Sequence, residues 1–260
     1  MGAPAAPLAG RSIVITRPAR QAVSLAAKVR CAGGQAILFP VIEIADVEDL
    51  QPFYALVDRL EEFDIAIFIS PNAVSRTMDL LSPRRTLPPP LAIAAIGDAT
   101  VKTLRGRGVA PVIAPAHGFD SEALLAQPAL QQVAGKRIVI FRGQGGRELL
   151  GDALAARGAR VEYAECYRRT VPAIDPAPIY DAWQQHRLDG FVVTSSEGVK
   201  NLFQIVGTTA RSRLVATPLF VPHSRIAETA RSCGVAVVVT TGPGDDGILA
   251  GVCAHFSAEK

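Results

Sequence analysis

Hydroxyl, amide and guanidinium groups gather in the short turns that follow the chain's β-branched runs. They are Thr16-Arg17-Pro18, Ser70-Pro71-Asn72, Gly97-Asp98 with Thr100, Arg142-Gly143, Thr194-Ser195-Ser196 and Ser224-Arg225. Such groups donate hydrogen bonds to carboxylates and phosphates. Turns of this kind lie outside the carboxyl ends of parallel strands, where helix N-termini leave N–H groups unpaired. The chemistry they could support is the binding and orientation of an anionic small molecule. Ser, Asn and Asp also cap helices at these positions, so for any one residue both readings stay open and only the set points to a site. Tyr167, at the end of the run from Val161 and beside Arg168 and Arg169, carries a phenol that could reach into a cleft or pack in a core.

Other chemistries find little support. Cys31, Cys166, Cys233 and Cys253 are far apart with no paired spacing, and the four histidines offer no ligand pattern, so neither a structural zinc site nor any other metal is expected. No Cys or Ser stands in a local signature with a His, which leaves a hydrolase triad unsupported. Gly143-Gln144-Gly145-Gly146-Arg147-Glu148 follows a strand and opens a helix as a dinucleotide loop would, but Glu148 stands where the third glycine belongs.

The elements that must position these turns repeat. Ile13 to Arg17 leads into a helical stretch, a Gly33-Gly34 stop and a second apolar run. Ile138 follows Ile13 by 125 residues, as Arg142 follows Arg17 and Gly158 follows Gly33. The same offset carries Asp64 to Val74 onto Asp189 to Val199 and sets Ala94-Ala95-Ile96 against Leu219-Phe220-Val221, after which a one-residue insertion brings Gly108 onto Gly234. Each unit is a β-branched run, a polar turn and an amphipathic stretch ending at Gly, which predicts doubly wound α/β lobes with parallel sheets and a site between them. Pro88-Pro89-Pro90 reads as a surface loop, and Pro172 to Pro178 as a linker or crossover.

At 260 residues and 49% hydrophobic, the chain can fill two modest cores. No apolar run approaches the roughly 20 residues of a membrane helix. A net charge of +3 with no basic stripe argues against a dedicated nucleic-acid binder. The positive charge is 22 Arg against 5 Lys. That bias suits carboxylate binding, although codon usage accounts for it equally well. Met1 to Leu8 has no basic segment or long apolar segment and is read as a frayed tail on a cytoplasmic protein.

Taken in order, Val14 to Pro18, Ile69 to Val74, Ala95 to Thr100, Glu165 to Arg168 and Thr194 to Val199 resemble uroporphyrinogen-III synthase, with the match running from about Gly10 to Val252. The resemblance implies two three-layer α/β/α lobes related by duplication with exchanged first βα units. One would take residues 1–38 and 172–260 and the other 43–165, joined by a two-stranded linker of 39–42 and 166–171 that lets them hinge. It also implies an enzyme that needs no cofactor. Such an enzyme closes the linear tetrapyrrole hydroxymethylbilane to uroporphyrinogen III with inversion of the last ring and loss of water, in heme, siroheme or cobalamin synthesis.

On that resemblance Tyr167, which matches a tyrosine of the family's pattern, would be the acid assisting departure of the hydroxyl. Thr16, Arg17, Ser70, Asn72, Gly97, Asp98, Thr100, Arg142, Gly143, Arg168, Thr194, Ser195, Ser196 and Ser224 would surround the substrate's carboxylates. Pro222-His223-Ser224-Arg225 lacks counterparts of Gly97 and Thr100, which leaves the part played by that turn open. The expected partner is hydroxymethylbilane, handed over from hydroxymethylbilane synthase to a monomer that binds neither nucleic acid nor membrane. Two other classes share parts of the pattern: a non-catalytic two-lobed binding protein, and a nucleotide-dependent enzyme using the Gly143 to Gly146 turn.

Overall fold

The computed structural model of the chain describes residues 6–116, 120–146 and 148–258, so Met1 to Ala5 of the expected tail and Arg147 lie outside the described residues. The first half runs β1 (Ser12–Ile15), α1 (Ala19–Cys31), β2 (Gln35–Leu38), β3 (Glu43–Ala45), α2 (Gln51–Val57), β4 (Ile65–Phe68), α3 (Pro71–Leu81), β5 (Ala92–Ala95) and α4 (Asp98–Gly106). It continues through α5 (Ser121–Leu125), α6 (Pro128–Gln131), β6 (Arg137–Gly143), α7 (Leu149–Ala156), β7 (Arg160–Thr170) and α8 (Ala177–Gln184). The last part is β8 (Gly190–Val192), α9 (Ser196–Val206), α10 (Arg211–Ala216), β9 (Leu219–Val221), α11 (Ser224–Ser232), β10 (Val238–Thr240) and α12 (Gly244–Ala258). The chain divides into two compact units, Met1–Glu43 with Thr170–Lys260, and Ile44–Arg169.

In the first unit the sheet order is β10-β9-β8-β1-β2, with its neighbours parallel. Side chains alternate across it, as a strand's two-residue period requires. Val14, Phe191 and Val221 face the helices α8 to α11, while Ile13, Ile15 and Phe220 face α1 and α12. Both faces are therefore covered. Leu8, expected in the frayed tail, is instead fully buried against α1, and its N–H donates to Ala32 O at 3.0 Å. The apolar side chain has a hydrophobic seat, so the tail ends before it.

The second unit orders its strands β3-β7-β6-β4-β5, and β7, β6, β4 and β5 run parallel. Phe68 and Phe141, stacked at 4.8 Å, face α2 to α4, and Ile67 and Ile140 face α5 to α7. In each unit the parallel strands bring their carboxyl ends, and the turns after them, to one edge of the sheet.

The registers of the two sheets correspond. Ser12 pairs with Gln35 in one and Arg137 with Arg160 in the other; Gly190 pairs with Ile13, and Ile65 with Ile138. An aspartate closes each central pair: Asp189 Oδ2 accepts from Ser12 N–H and Asp64 Oδ2 from Arg137 N–H, both at 2.8 Å. At the next strand the match slips. Phe191 pairs with Leu219 but Ala66 with Ile93, so the inserted residue lies before β9, not after it as expected.

Residues 39–42 leave the strand ladder after β2, yet Phe39 and Val41 are buried in the first unit's core. Cys166 and Tyr167, placed by the sequence at the start of a linker, lie within β7 and the second unit's core.

Candidate active site

The second unit brings three of the predicted residues into contact. Ser70 is the N-cap of α3, its extended backbone (φ −162°) turning the hydroxyl back to accept from Ala73 N–H at 3.1 Å. Tyr167 Oη lies 3.1 Å from the same Ser70 Oγ. Gly143 lies against the phenol ring, where a Cβ would come within 2.6 Å of Tyr167 Cε2 and Cζ.

Of the two places open to the phenol, a cleft or a core, the structure shows the core, for Tyr167 is 0% exposed. Its burial comes from a register shift between Arg142 and Gly143: Arg142 pairs with Glu165 but Gly143 with Tyr167, leaving Cys166 outside the pairing. Such a bulge turns two successive side chains the same way, so Cys166 and Tyr167 both point into the core. Burial pushes the Cys166 thiol up to about 11, and it stays protonated and donates to Arg142 O at 3.3 Å.

Arg142 also departs from expectation. It is only 4% exposed, its guanidinium lies 4.8 Å from the Tyr163 ring centre, and it donates to the carbonyl oxygens of Gly143 and Gly145. Its charge holds its own loop instead of facing outward. Two amides of that loop are occupied too: Gln144 N–H donates to Tyr167 O at 2.7 Å and Gly145 N–H to Glu165 Oε1 at 3.2 Å. A phosphate-cradling loop needs free amides, and these two are taken.

Around this core, Asn72 lies half-buried in the first turn of α3, and Gly97 starts α4 at φ 76°, a left-handed conformation that favours glycine. Asp98 is exposed, whereas Thr100, two residues on in the same turn, is buried. Arg168 Nε donates to Asp46 O at 2.9 Å.

In the first unit, Ser195 caps α9 as Ser70 caps α3, accepting from Gly198 N–H at 2.9 Å. Ser196 Oγ accepts from Thr229 Oγ1 at 2.9 Å, and Thr194 is half-buried beside it. Thr16 was expected to meet ligand, but it is 2% exposed and donates through Oγ1 to Val192 O, bonding β1 to β8. Arg17 reaches Asp245 at the start of α12 at 2.5 Å. Ser224 is exposed in the first turn of α11, whose cap is His223: its Nδ1 accepts from Arg225 N–H at 3.1 Å.

The sequence reading missed several contributors. Asn201, on the buried face of α9, donates to Val41 O at 2.9 Å and so fixes the chain after β2. At the corresponding place on α3, Arg76 pairs with Asp46. A polar residue among apolar ones on an amphipathic helix was the available signal. Asp245 lies in the first turn of α12, in a Gly-rich stretch, Gly242 to Gly247, and its partner Arg17 in the turn after β1 is announced by no local pattern.

Two cavities of the second unit lie apart from the predicted set. One of about 610 Å³ is lined by Leu81, Leu87, Pro88 and the amino end of β5, opposite the strand-end turns. Another of about 390 Å³ is lined by Glu48, Asp49 and Glu165 beside Gln144 and Tyr163, a lining that repels carboxylates. Among the described residues no cluster of His, Cys, Asp and Glu is placed to hold a metal, and no helix is long and apolar enough to cross a membrane.

Comparison with known proteins bears on these features. A family model described as uroporphyrinogen-III synthase HemD matches residues 23–250. The uroporphyrinogen-III synthase of Escherichia coli (strain K12) is 35% identical over 225 residues, covering 86% of this chain and 92% of the relative. Its counterpart in Salmonella typhimurium (strain LT2) is 36% identical over the same length, with the same coverage of both chains. Among solved structures, a mutant uroporphyrinogen III synthase from the extremely thermophilic bacterium Thermus thermophilus superposes with a TM-score of 0.63 at 20% identity, over 96% of this chain and 100% of that one, a likeness of fold.

Proposed function

The chain belongs to the uroporphyrinogen-III synthase family, and from that premise we propose how its residues serve the reaction. The activity is that of a cyclising hydro-lyase in tetrapyrrole biosynthesis, acting on hydroxymethylbilane. A pyrrole nitrogen expels the substrate's terminal hydroxyl, leaving an electrophilic methylene carbon, which the substituted carbon of ring D attacks. A spiro intermediate then opens and recloses with that ring inverted. Chemistry of this kind asks for geometry above all. Holding reacting ends together supplies about 7 to 11 kcal/mol in favourable model systems.

In this reading the turns at the strand carboxyl ends receive the substrate's carboxylates through backbone N–H groups, through the Asn72, Ser195, Ser196 and Ser224 side chains, and through Arg17 and Arg168. The Tyr167–Ser70 pair assists departure of the hydroxyl. The observation that carries the assignment of the pair is their 3.1 Å hydrogen bond at the start of α3. Arg142, Thr16 and Thr100 take supporting places, since their side chains are turned into the protein.

We also propose that the fold arose by duplication with exchange of the first βα unit. The matching registers support this, as do the reciprocal aspartates: Asp64 caps the strand at Arg137, and Asp189, 125 residues later, caps the strand at Ser12.

The test is incubation with freshly made hydroxymethylbilane and separation of the macrocycle isomers. Type III product is expected; type I alone, which forms spontaneously, would refute the reading.

A further inference from the structure

We infer that Ser70 is the group that meets the departing hydroxyl, and that Tyr167 is its positioning residue; this rests on the assignment of the pair above. The argument is a count of hydrogens and lone pairs. Tyr167 is 0% exposed, and among the described residues its hydroxyl has one partner, Ser70 Oγ. If Ser70 donated that bond, the phenolic hydrogen would be a buried donor with no acceptor, at a cost of about 1–3 kcal/mol. The phenol therefore donates.

Ser70 Oγ has two lone pairs, and both are then taken, one by Tyr167 Oη–H and one by Ala73 N–H. Its own hydrogen is the single valence left, and Ser70 is half-buried where Tyr167 is enclosed. A hydroxyl that ordinarily rotates is thereby left with only its donor function to offer. Each donor in the series strengthens the next.

The first unit provides a comparison within the molecule. Ser195 stands 125 residues after Ser70 and caps an equivalent helix through Gly198 N–H. Ile42 occupies the place that corresponds to Tyr167 under the same offset, so no phenol fills the second lone pair of Ser195. Two serines with one capping role differ in one contact, and that contact fixes the direction of the hydroxyl.

The reacting step balances within the substrate. The carbon–oxygen bond breaks with its electron pair going to oxygen, the pyrrole nitrogen forms a double bond as its N–H proton completes the water, and Ser70 Oγ–H stabilises the oxygen through a hydrogen bond. No phenolate is needed, which agrees with the burial of Tyr167 among apolar side chains.

The experiment measures kcat, KM and thermal midpoint for the full chain with hydroxymethylbilane. Ser70→Ala and Ser195→Ala each remove a cap, at about 1 kcal/mol, and Ser70→Ala should lose about 1–3 kcal/mol more because it leaves the buried Tyr167 phenol without an acceptor. Ser70→Ala should lower kcat by about 10²-fold, the scale of losing one donor to a developing oxyanion, and at least about tenfold more than Ser195→Ala does. Ser70→Asp keeps an acceptor for the cap but has no proton to donate, so it should be stable and as slow as Ser70→Ala. Ser70→Thr should recover most of the rate. Tyr167→Phe should fall between Ser70→Ala and the unaltered protein.

Equal kcat losses for Ser70→Ala and Ser195→Ala, full activity in Ser70→Asp, or a Tyr167→Phe loss larger than that of Ser70→Ala would each overturn the inference. Type I product alone from the unaltered protein would instead defeat the underlying reading, so the two failures are distinguishable.

Discussion

A methyl group at position 143 would lie 2.6 Å from Tyr167 Cε2 and Cζ and 3.1 Å from its hydroxyl oxygen. Real Cβ atoms do not approach so closely, so Gly143→Ala must displace the ring, and with it the bond to Ser70. We expect a stability loss of about 1–3 kcal/mol in a urea titration, the range for overpacking, together with a fall in kcat at least as large as that of Tyr167→Phe. A full-rate Gly143→Ala protein would separate phenol placement from turnover. The sequence made Tyr167 and Gly143 candidates but could not show them in contact. Strand alternation alone places Ala164 and Cys166 inward and Tyr167 outward, and it is the shift after Arg142 that reverses this. Arg142 was misjudged for a related reason: a guanidinium after a strand looks available until its loop is seen folded onto it.

Elements were more legible, because a 125-residue repeat is a property of many residues at once. The strand and helix alternation, the parallel pairing and the caps at Ser70 and Ser195 follow from it. What it could not place was the insertion before β9, since a one-residue slip leaves the apolar pattern of a three-residue strand nearly unchanged. The paired aspartates allow a quantitative test of how the central strands are held. Asp189 accepts from Ser12 N–H and from Arg11, on a buried strand start, while the Asp64 bond to Arg137 N–H is exposed. Water can replace the second more readily than the first, which is part-buried. Asp189→Ala should therefore cost about 1–3 kcal/mol and Asp64→Ala about 1 kcal/mol or less, read as midpoints of urea unfolding. The opposite order would show that these bonds do not anchor the strands.

For the whole molecule, what matters is that each unit encloses its own core. The clusters around Phe68 and Phe141 and around Ile67 and Ile140 draw all their members from the second unit, and those around Phe191 and Phe220 draw theirs from the first. The second unit is moreover one continuous stretch of chain, with a five-stranded sheet covered on both faces. A body of that size with a closed core has what independent folding requires. Residues 44–169 expressed alone should accordingly give an α/β circular dichroism spectrum and a single sigmoidal urea transition, with a slope scaled to the surface of the fragment and not of the chain. The first unit is built from both ends of the chain, and removing the middle leaves its strands β1 and β8 without a covalent path between them. Residues 170–260 alone should stay largely unfolded, because the sheet would lack β1 and the aspartate at 189 would lack its partner strand. A folded 170–260 fragment would show that β1 and β2 add to a unit already stable, and a disordered 44–169 fragment would show that neither core suffices by itself.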